Sequence, residues 1–441
     1  MAKYFGTDGI RGKANVDLTV ERAFQVGRYL GYYFSQEKKS KIVIGKDTRL
    51  SSDMLESALA AGITSQGCDA YLLGYGPTPA TCYVAHQEDF ACGAMISASH
   101  NPFYDNGIKV FSHEGIKIPT DLEEKIEAFI DGEFSLEFVS DDQIGKVYDY
   151  KEGLEHYKDW ISTIFPLDLK GMKIAIDTAN GSASYTAKEV LERLGATVYA
   201  IHGEPNGVNI NTHCGSTHPE EMQEVMAKGT YDVGLTFDGD ADRQIIVDSN
   251  GHLVNGDFVL YIFGKFLRDR KELKGNTVVT TVMANLGLFK AFEREGIQST
   301  MTRVGDKYVY EDMVKNDFVI GGEQSGHIIF KNYATTGDGL LTALAMLYVM
   351  QETKKSLLEL EEGLVIYPQV LKNVRVENKE TVLESETLRK AIEESEQRLS
   401  GNGRVLVRPS GTEPLLRVMV EASTLEICEK EVESIISALD A

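Results

Sequence analysis

The stretch Val233-Gly234-Leu235-Thr236-Phe237-Asp238-Gly239-Asp240-Ala241-Asp242-Arg243 is an apolar run of strand length that ends in an acidic loop. The same design recurs along the chain. Lys41-Ile42-Val43-Ile44-Gly45 leads into Lys46-Asp47-Thr48-Arg49, and Gly93-Ala94-Met95-Ile96 into Ser97-Ala98-Ser99-His100. Lys173-Ile174-Ala175-Ile176 precedes Asp177-Thr178-Ala179-Asn180-Gly181, and Phe318-Val319-Ile320 precedes Gly321-Gly322-Glu323. Helical patterns lie between these runs, as at residues 20–33 and 187–194. Strand, loop and helix in alternation predict α/β domains with mostly parallel sheets. Ligands of such sheets gather beyond the carboxyl ends of the strands, which is where these polar loops fall.

The 441 residues correspond to about three domains of ordinary size. Polar stretches near residue 150, at Asn250-Gly251 and after Tyr367-Pro368 divide the chain into 1–150, 151–252, 253–368 and 369–441. The last segment changes character. Leu388, Ile392 and Leu399 recur at helical spacing, as do Val432, Ile435, Ile436 and Leu439. Two strand patterns lie between them, at residues 404–408 and 415–421. A small helix-strand-strand-helix α+β domain is expected there, which raises the domain count to four.

Lys and Arg total 45 against 67 Asp and Glu, for a net charge of −22. Nucleic acid and anionic membrane need clustered cations, so neither is expected as a partner. The longest apolar run, Leu340 to Met350, is too short to span a bilayer. Met1-Ala2-Lys3-Tyr4-Phe5 shows no secretory pattern, and five widely spaced cysteines suit reduced thiols. A cytoplasmic enzyme is expected. Asn180-Gly181-Ser182 is then a chance sequon.

Five loops carry candidate chemistry. Asp238, Asp240 and Asp242 alternate after a strand, and oxygen-only ligands suit a hard cation such as Mg²⁺. The EF-hand reading fails, because Arg243 and Ser249 stand where that loop needs Gly and Glu. Ser97-Ala98-Ser99-His100-Asn101-Pro102 follows another strand, with Lys109 close behind. Taken alone a Ser-His pair is a polar turn, and no nucleophile elbow surrounds Ser99. Beside a cation loop, a phosphoryl-carrying serine becomes chemically reasonable. Gly321 to His327 has Walker-like glycine spacing, but His327 and Ile328 replace the Lys and Ser/Thr, so nucleotide binding is rejected. Its Glu323, Ser325 and His327 could instead bond sugar hydroxyls. Arg408-Pro409-Ser410-Gly411-Thr412, with Arg417 beyond, has the composition of a phosphate cradle. Gly6 to Gly12 is not a dinucleotide fingerprint, and its Arg11 is a candidate anion ligand. His213, Cys214 and His218 are too compactly spaced for an ordinary zinc framework.

In this order, the loops resemble those of the α-D-phosphohexomutase superfamily over essentially the whole chain. The carriers are FGTDGIRG at 5–12, ISASHNP at 96–102, GVNIN and CGSTHPE within 207–220, GGEQSGH at 321–327 and TGDGLL at 336–341. Gln324 separates it from the phosphomannomutase and phosphoglucomutase branch, which usually carries Met there, and points to the glucosamine phosphate branch. Lys46, where relatives often have Arg, and Lys307 keep the charge. The resemblance implies three related α/β domains with mixed sheets and a C-terminal α+β domain around a central cleft. It implies interconversion of glucosamine 6-phosphate and glucosamine 1-phosphate, feeding UDP-N-acetylglucosamine and cell-wall synthesis. Ser99 would be a phosphoserine, holding one Mg²⁺ with Asp238, Asp240 and Asp242. A glucosamine 1,6-bisphosphate would be intermediate and activator. Arg11, Lys109 and Arg243 would lie near the transferred phosphoryl, with Lys109 and His100 assisting proton transfer. Glu323, Ser325 and His327 would face the sugar, and Arg408, Ser410, Gly411, Thr412 and Arg417 the non-reacting phosphate. A homodimer is the family expectation. The alternative is a phosphomannomutase or phosphoglucomutase on the same scaffold.

Overall fold

The computed structural model describes residues 3–36, 38–376, 378–409 and 415–439. Two compact units form, one of Met1–Met283 with Gln298–Glu362, the other of Ala284–Ile297 with Gly363–Ala441.

Three sheets build the first unit. The first contains β1 (Phe5–Gly6), β2 (Gly9–Lys13), β3 (Lys41–Lys46), β4 (Asp69–Tyr75), β5 (Cys92–Ile96), β6 (Asp105–Ser112) and β7 (Val147–Asp149), in the order β1-β2-β6-β5-β3-β4-β7. The second contains β8 (Lys173–Asp177), β9 (Thr197–Ile201), β10 (Val233–Phe237), β11 (Gln244–Val247) and β12 (Leu253–Val254), ordered β12-β11-β10-β8-β9. The third contains β13 (Thr277–Thr281), β14 (Gln298–Thr302), β15 (Ile320–Gly322) and β16 (Ile328–Phe330), ordered β14-β13-β15-β16.

The sheets are mixed, as the family resemblance implies, whereas the strand pattern alone points to mostly parallel pairing. β5, β10 and β15 each run parallel to one neighbour and antiparallel to the strand that follows in sequence. The connections are short returns rather than helical crossovers: 97–104, 238–243 and 323–327. An antiparallel return needs only a few residues and is anchored by ladder bonds at both ends. Equivalent positions in three sheets thus carry the serine, aspartate and glutamate loops. Strands β5, β10 and β11 are buried along their whole length. That accounts for their continuous apolar runs, since both faces are covered.

The apolar run at Leu340 is the core helix Gly339–Thr353, buried on nearly every side. Asp338 caps it by accepting from Leu341 N at 2.9 Å. Among the described residues no helix is long and apolar enough to cross a membrane. The five cysteines are all free and buried.

In the second unit, β17 (Gln369–Arg375), β18 (Gly403–Pro409) and β19 (Leu415–Ala422) form an antiparallel sheet ordered β17-β19-β18. Helices Glu386–Leu399 and Leu425–Leu439 contribute Leu388, Val432 and Ile435 to a core with Val418 and Val420. The sequence reading omitted β17, whose polar Lys372 and Asn373 interrupt the apolar pattern. Glu421, fully buried, gathers this unit: Arg404 Nε donates at 2.6 Å, Leu286 N at 2.9 Å and Gln369 Nε2 at 2.9 Å. Such a buried carboxylate is tolerated because each lone pair finds a donor.

Candidate active site

The return after β5 is held in an unusual shape. Ser99 has φ +51°, the left-handed region that a non-glycine residue enters at a cost of about 1–2 kcal/mol. Its surroundings over-determine that conformation. Ser99 N donates to Ser97 Oγ at 2.9 Å, and Ser97 Oγ donates to Asp47 Oδ2 at 2.7 Å. The Ser99 carbonyl accepts from Arg49 Nη2 and from Asn211 Nδ2, each at 2.8 Å. Arg49 is itself buried, paired with Asp47 at 2.7 Å, and also donates to Asp105 O at 3.0 Å. Gly239 is required here, because a Cβ would lie 2.6 Å from the Ser99 carbonyl oxygen. The result presents Ser99 Oγ to the return after β10, where it donates to Asp238 Oδ2 at 2.7 Å.

Asp238, Asp240 and Asp242 are buried, with one carboxylate oxygen from each within 4.8 Å of the others. Asp240 Oδ1 and Asp242 Oδ1 are buried without a hydrogen-bond partner. Unsatisfied buried carboxylate oxygens carry a heavy penalty unless a cation receives them. A hard divalent cation fits this donor set. Burial, then Asp242 and Asp240, push the Asp238 carboxyl well above its ordinary value. Burial also acts on Asp240, but Lys109 and Thr78 outweigh it and hold that carboxyl below the ordinary range.

Lys109 projects from β6 into this cluster, 2.7 Å from Asp240 Oδ2, 3.3 Å from Asp242 Oδ2 and 3.1 Å from Asp8 Oδ2. Burial would lower its ammonium pKa, yet Asp240, Asp8 and Asp242 keep it well above the usual value. Asp8 also pairs with Arg11 and, at 3.0 Å, with Lys117. Lys117 in turn reaches Asp306 at 2.7 Å. His100 Nδ1 lies 3.5 Å from Ser99 Oγ and 3.2 Å from Arg243 Nη1. Burial, with Arg243 and Arg11 adding to it, pulls the imidazole down to about 4.

The third return adds Glu323, Ser325 and His327. Glu323 Oε1 accepts from Gly305 N at 3.0 Å, and Ser325 is exposed. His327 is buried, with Nε2 3.9 Å from Asp242 Oδ2 and 3.8 Å from Asp306 Oδ2. Its ring packs against Gly337, where a Cβ would come within 2.5 Å of it. Ser99, His100, Lys109, Arg11, Arg243, the three aspartates and His327 therefore converge in one unit.

Arg408 and Arg417 lie in the second unit, directly paired across β18 and β19. Both Nε atoms are buried without a hydrogen-bond partner. Burial, and then the neighbouring Arg417, lower the Arg408 pKa. Two facing guanidinium groups with unused donors suit an anion. Ser410, Gly411 and Thr412 lie outside the described residues.

Sequence reasoning missed several members of this network. Thr78 donates to Asp240 from the start of a helix, and nothing in its local sequence marks it. Arg49 and Asn211 sit within the DTR and GVNIN stretches, where the sequence alone gives neither a role. Asp8 and Lys117 look like ordinary surface charges in the sequence, and only the linked ion pairs to Lys109 and Asp306 set these two apart.

Family profiles for phosphoglucomutase/phosphomannomutase match in series along the chain. Alpha/beta/alpha domain I covers residues 2–137, domain II 150–251, domain III 255–366 and the C-terminal domain 371–438. A phosphoglucosamine mutase of Lachnospira eligens is 52% identical, spanning 100% of this chain and 98% of that protein. Among solved structures, a phosphoglucomutase/phosphomannomutase family protein of Burkholderia thailandensis superposes with TM-score 0.81 at 22% identity, covering 100% of this chain and 98% of its own. An Aspergillus fumigatus N-acetylphosphoglucosamine mutase, solved with GlcNAc-6P and magnesium, gives TM-score 0.72 at 18% identity, covering 100% and 96%. The chain belongs to the phosphoglucomutase/phosphomannomutase family and, within it, to the phosphoglucosamine mutases.

Proposed function

We propose that this mutase interconverts glucosamine 6-phosphate and glucosamine 1-phosphate through a phosphorylated Ser99 and a glucosamine 1,6-bisphosphate intermediate. The observation that carries the reading is Ser99 Oγ, held in a left-handed turn 2.7 Å from a carboxylate of a buried aspartate triad.

In the forward half, the P–O bond to Ser99 breaks as a P–O bond forms to the free sugar hydroxyl, whose proton passes to the protein. The bisphosphate turns over, and its other phosphate returns to Ser99. Asp238, Asp240 and Asp242, with the phosphoserine, would hold one Mg²⁺, which supplies charge neutralisation of the transferred group. Arg11 and Arg243 stabilise the phosphoryl oxygens, while His100 and Lys109 handle the hydroxyl proton. Glu323, Ser325 and His327 orient the sugar. Arg408 and Arg417, with Ser410, Gly411 and Thr412, grip the phosphate that is not reacting. A grip on a phosphate rather than on a carbon serves both orientations of the intermediate, and the binding energy positions the far end. Domain limits at 1–150, 151–252, 253–368 and 369–441 and a homodimer complete the proposal. Sedimentation of the full chain tests the dimer.

The deciding experiment measures product formation from glucosamine, glucose and mannose phosphates, started with catalytic bisphosphate and Mg²⁺. Fastest turnover of glucosamine phosphate is expected. Faster turnover of glucose or mannose phosphate would overturn the substrate assignment. Full activity in Ser99→Ala would overturn the phosphoserine, and stoichiometric phosphate release without isomerisation would make the protein a phosphatase.

A further inference from the structure

The loop containing Cys214 takes no part in the chemistry above, yet its thiol is fully buried. It is tied to the carboxyl end of β8, where Gly215 N donates to Asp177 Oδ2 at 2.9 Å. His202 follows directly on β9, the parallel neighbour of β8. Asp177, His202 and Cys214 each offer one ligand atom, and these atoms all lie within 4.8 Å of one another. The three residues come from three segments, so no sequence spacing announces them.

The histidine decides what this cluster is for. Its Nε2 lies 3.2 Å from Glu221 Oε2. Its Nδ1 lies 3.1 Å from Asp177 Oδ2, buried and off the line of a well-formed hydrogen bond, and the contact with Asp177, then the charge of Glu221, raises the imidazole pKa above its ordinary value against the effect of burial. A proton on this nitrogen satisfies the contact in the metal-free protein, and a metal ion shared by Asp177 and His202 would take that proton's place. A carboxylate on the remote ring nitrogen is the arrangement metal-binding histidines have, because it fixes the tautomer that leaves the other nitrogen free to ligate. Both Asp177 oxygens are already oriented by backbone donors, Ala179 N at 2.8 Å and Gly215 N at 2.9 Å.

We propose that Asp177, His202 and Cys214 form a second metal site, selective for a borderline transition-metal cation, Zn²⁺, and distinct from the three-aspartate loop. One oxygen, one nitrogen and one sulfur donor suit Zn²⁺ and do not suit Mg²⁺. With bonds of about 2.0–2.3 Å, tetrahedral ligand atoms stand roughly 3.3–3.8 Å apart, within reach of the observed spread by side-chain adjustment. Three protein ligands leave the fourth position to water. Burial first, then the charges of Asp177 and Glu221, push the Cys214 thiol up to about 12, so the thiolate forms only as the metal binds: the S–Zn bond replaces S–H and the proton leaves to solvent. The same loop carries Asn211, which donates to the carbonyls of Ser99 at 2.8 Å and Asn101 at 3.1 Å. Occupancy of the second site therefore stiffens a segment that shapes the serine loop.

The test uses the full chain in saturating Mg²⁺, titrated with Co²⁺ as a spectroscopic stand-in for Zn²⁺. A near-ultraviolet thiolate-to-cobalt charge-transfer band is expected to saturate at about one equivalent and to vanish on adding Zn²⁺, since no sulfur serves the aspartate loop. Cys214→Ser should abolish the band, and His202→Gln, at a partly exposed side chain, should weaken Co²⁺ binding by at least about 10-fold. Asp238→Asn should leave the band unchanged. Absence of the band, its survival in Cys214→Ser, or undiminished affinity in His202→Gln would overturn the site and leave His202 as a protonated bridge between Asp177 and Glu221.

Discussion

The serine and aspartate loops and the paired arginines of β18 and β19 handle charge in opposite ways. In the first region the two lysines are already matched: Lys109 meets three carboxylates, and Lys117 meets Asp8 and Asp306. In the second, Arg408 and Arg417 face each other, and no carboxylate pairs with either among the described residues. The first region holds its geometry by internal neutralisation. The second keeps donors in reserve, at the expense of mutual repulsion, and gains its partner only with an anion. Removing a charge should therefore lower stability in one region and not in the other.

The largest effect is expected from Lys109→Met. It leaves the buried Asp240 and Asp242 without their ammonium partner, so stability in denaturant titration should fall by about 3–5 kcal/mol and activity should be lost. A variant as stable as the parent would break the comparison. Arg408→Ala should do the reverse. Its stability should match or slightly exceed the parent, by no more than about 0.5 kcal/mol, because a like-charged cross-strand pair is relieved. KM for glucosamine phosphate should rise about 10–100-fold, the loss of a charge-assisted phosphate contact. A lower melting temperature with unchanged KM would show that the arginine is structural.

Asn211→Ala sharpens the picture of the first region. It removes two donors from the serine loop, at 2.8 and 3.1 Å, without touching a charge. The expected result is a fall in kcat of about 10-fold at constant KM, since the nucleophile loses its fixed geometry. Equal changes in both constants would count against a positioning role.

The smallest effect concerns Asp338, whose carboxyl is pushed up to about 6 from 3.8 mainly by burial, with backbone donors opposing. The folded state holds this proton more tightly than the unfolded state. Stability from this group is therefore greatest below its unfolded pKa and is lost as pH rises from about 4 through about 6. Asp338→Asn keeps an acceptor for the helix cap and removes the titration. Its melting temperature relative to the parent should climb between about pH 4 and pH 7, whereas a difference independent of pH would contradict the assignment.

Much of this was legible in the amino-acid sequence. Strand-then-loop patterning located the returns that carry Ser99 and the aspartates, and alternating carboxylates at 238, 240 and 242 announced a hard cation. The changed character of residues 369–441 marked a separate α+β segment. What stayed hidden depended on burial or on distant partners. Asp8 and Lys117 read as surface charges, Thr78 as part of a helix, and β17 as polar loop. Mixed sheets followed only from the family resemblance, because apolar runs look alike whether a strand's neighbour is parallel or antiparallel.

By itself the sequence determined which residue types stand at the ends of strands, because hydrophobic periodicity and turn chemistry are local properties. It also determined the family, through motifs spread over the whole chain. Only the tertiary structure decided that Arg49 and Asn211, 162 positions apart, meet on one carbonyl oxygen of Ser99. It alone placed Cys214 beside Asp177 and His202 rather than beside His213 and His218. Such convergence is set by how strands are ordered within each sheet and how the sheets pack on one another, both properties of contact between distant segments, which no local pattern encodes.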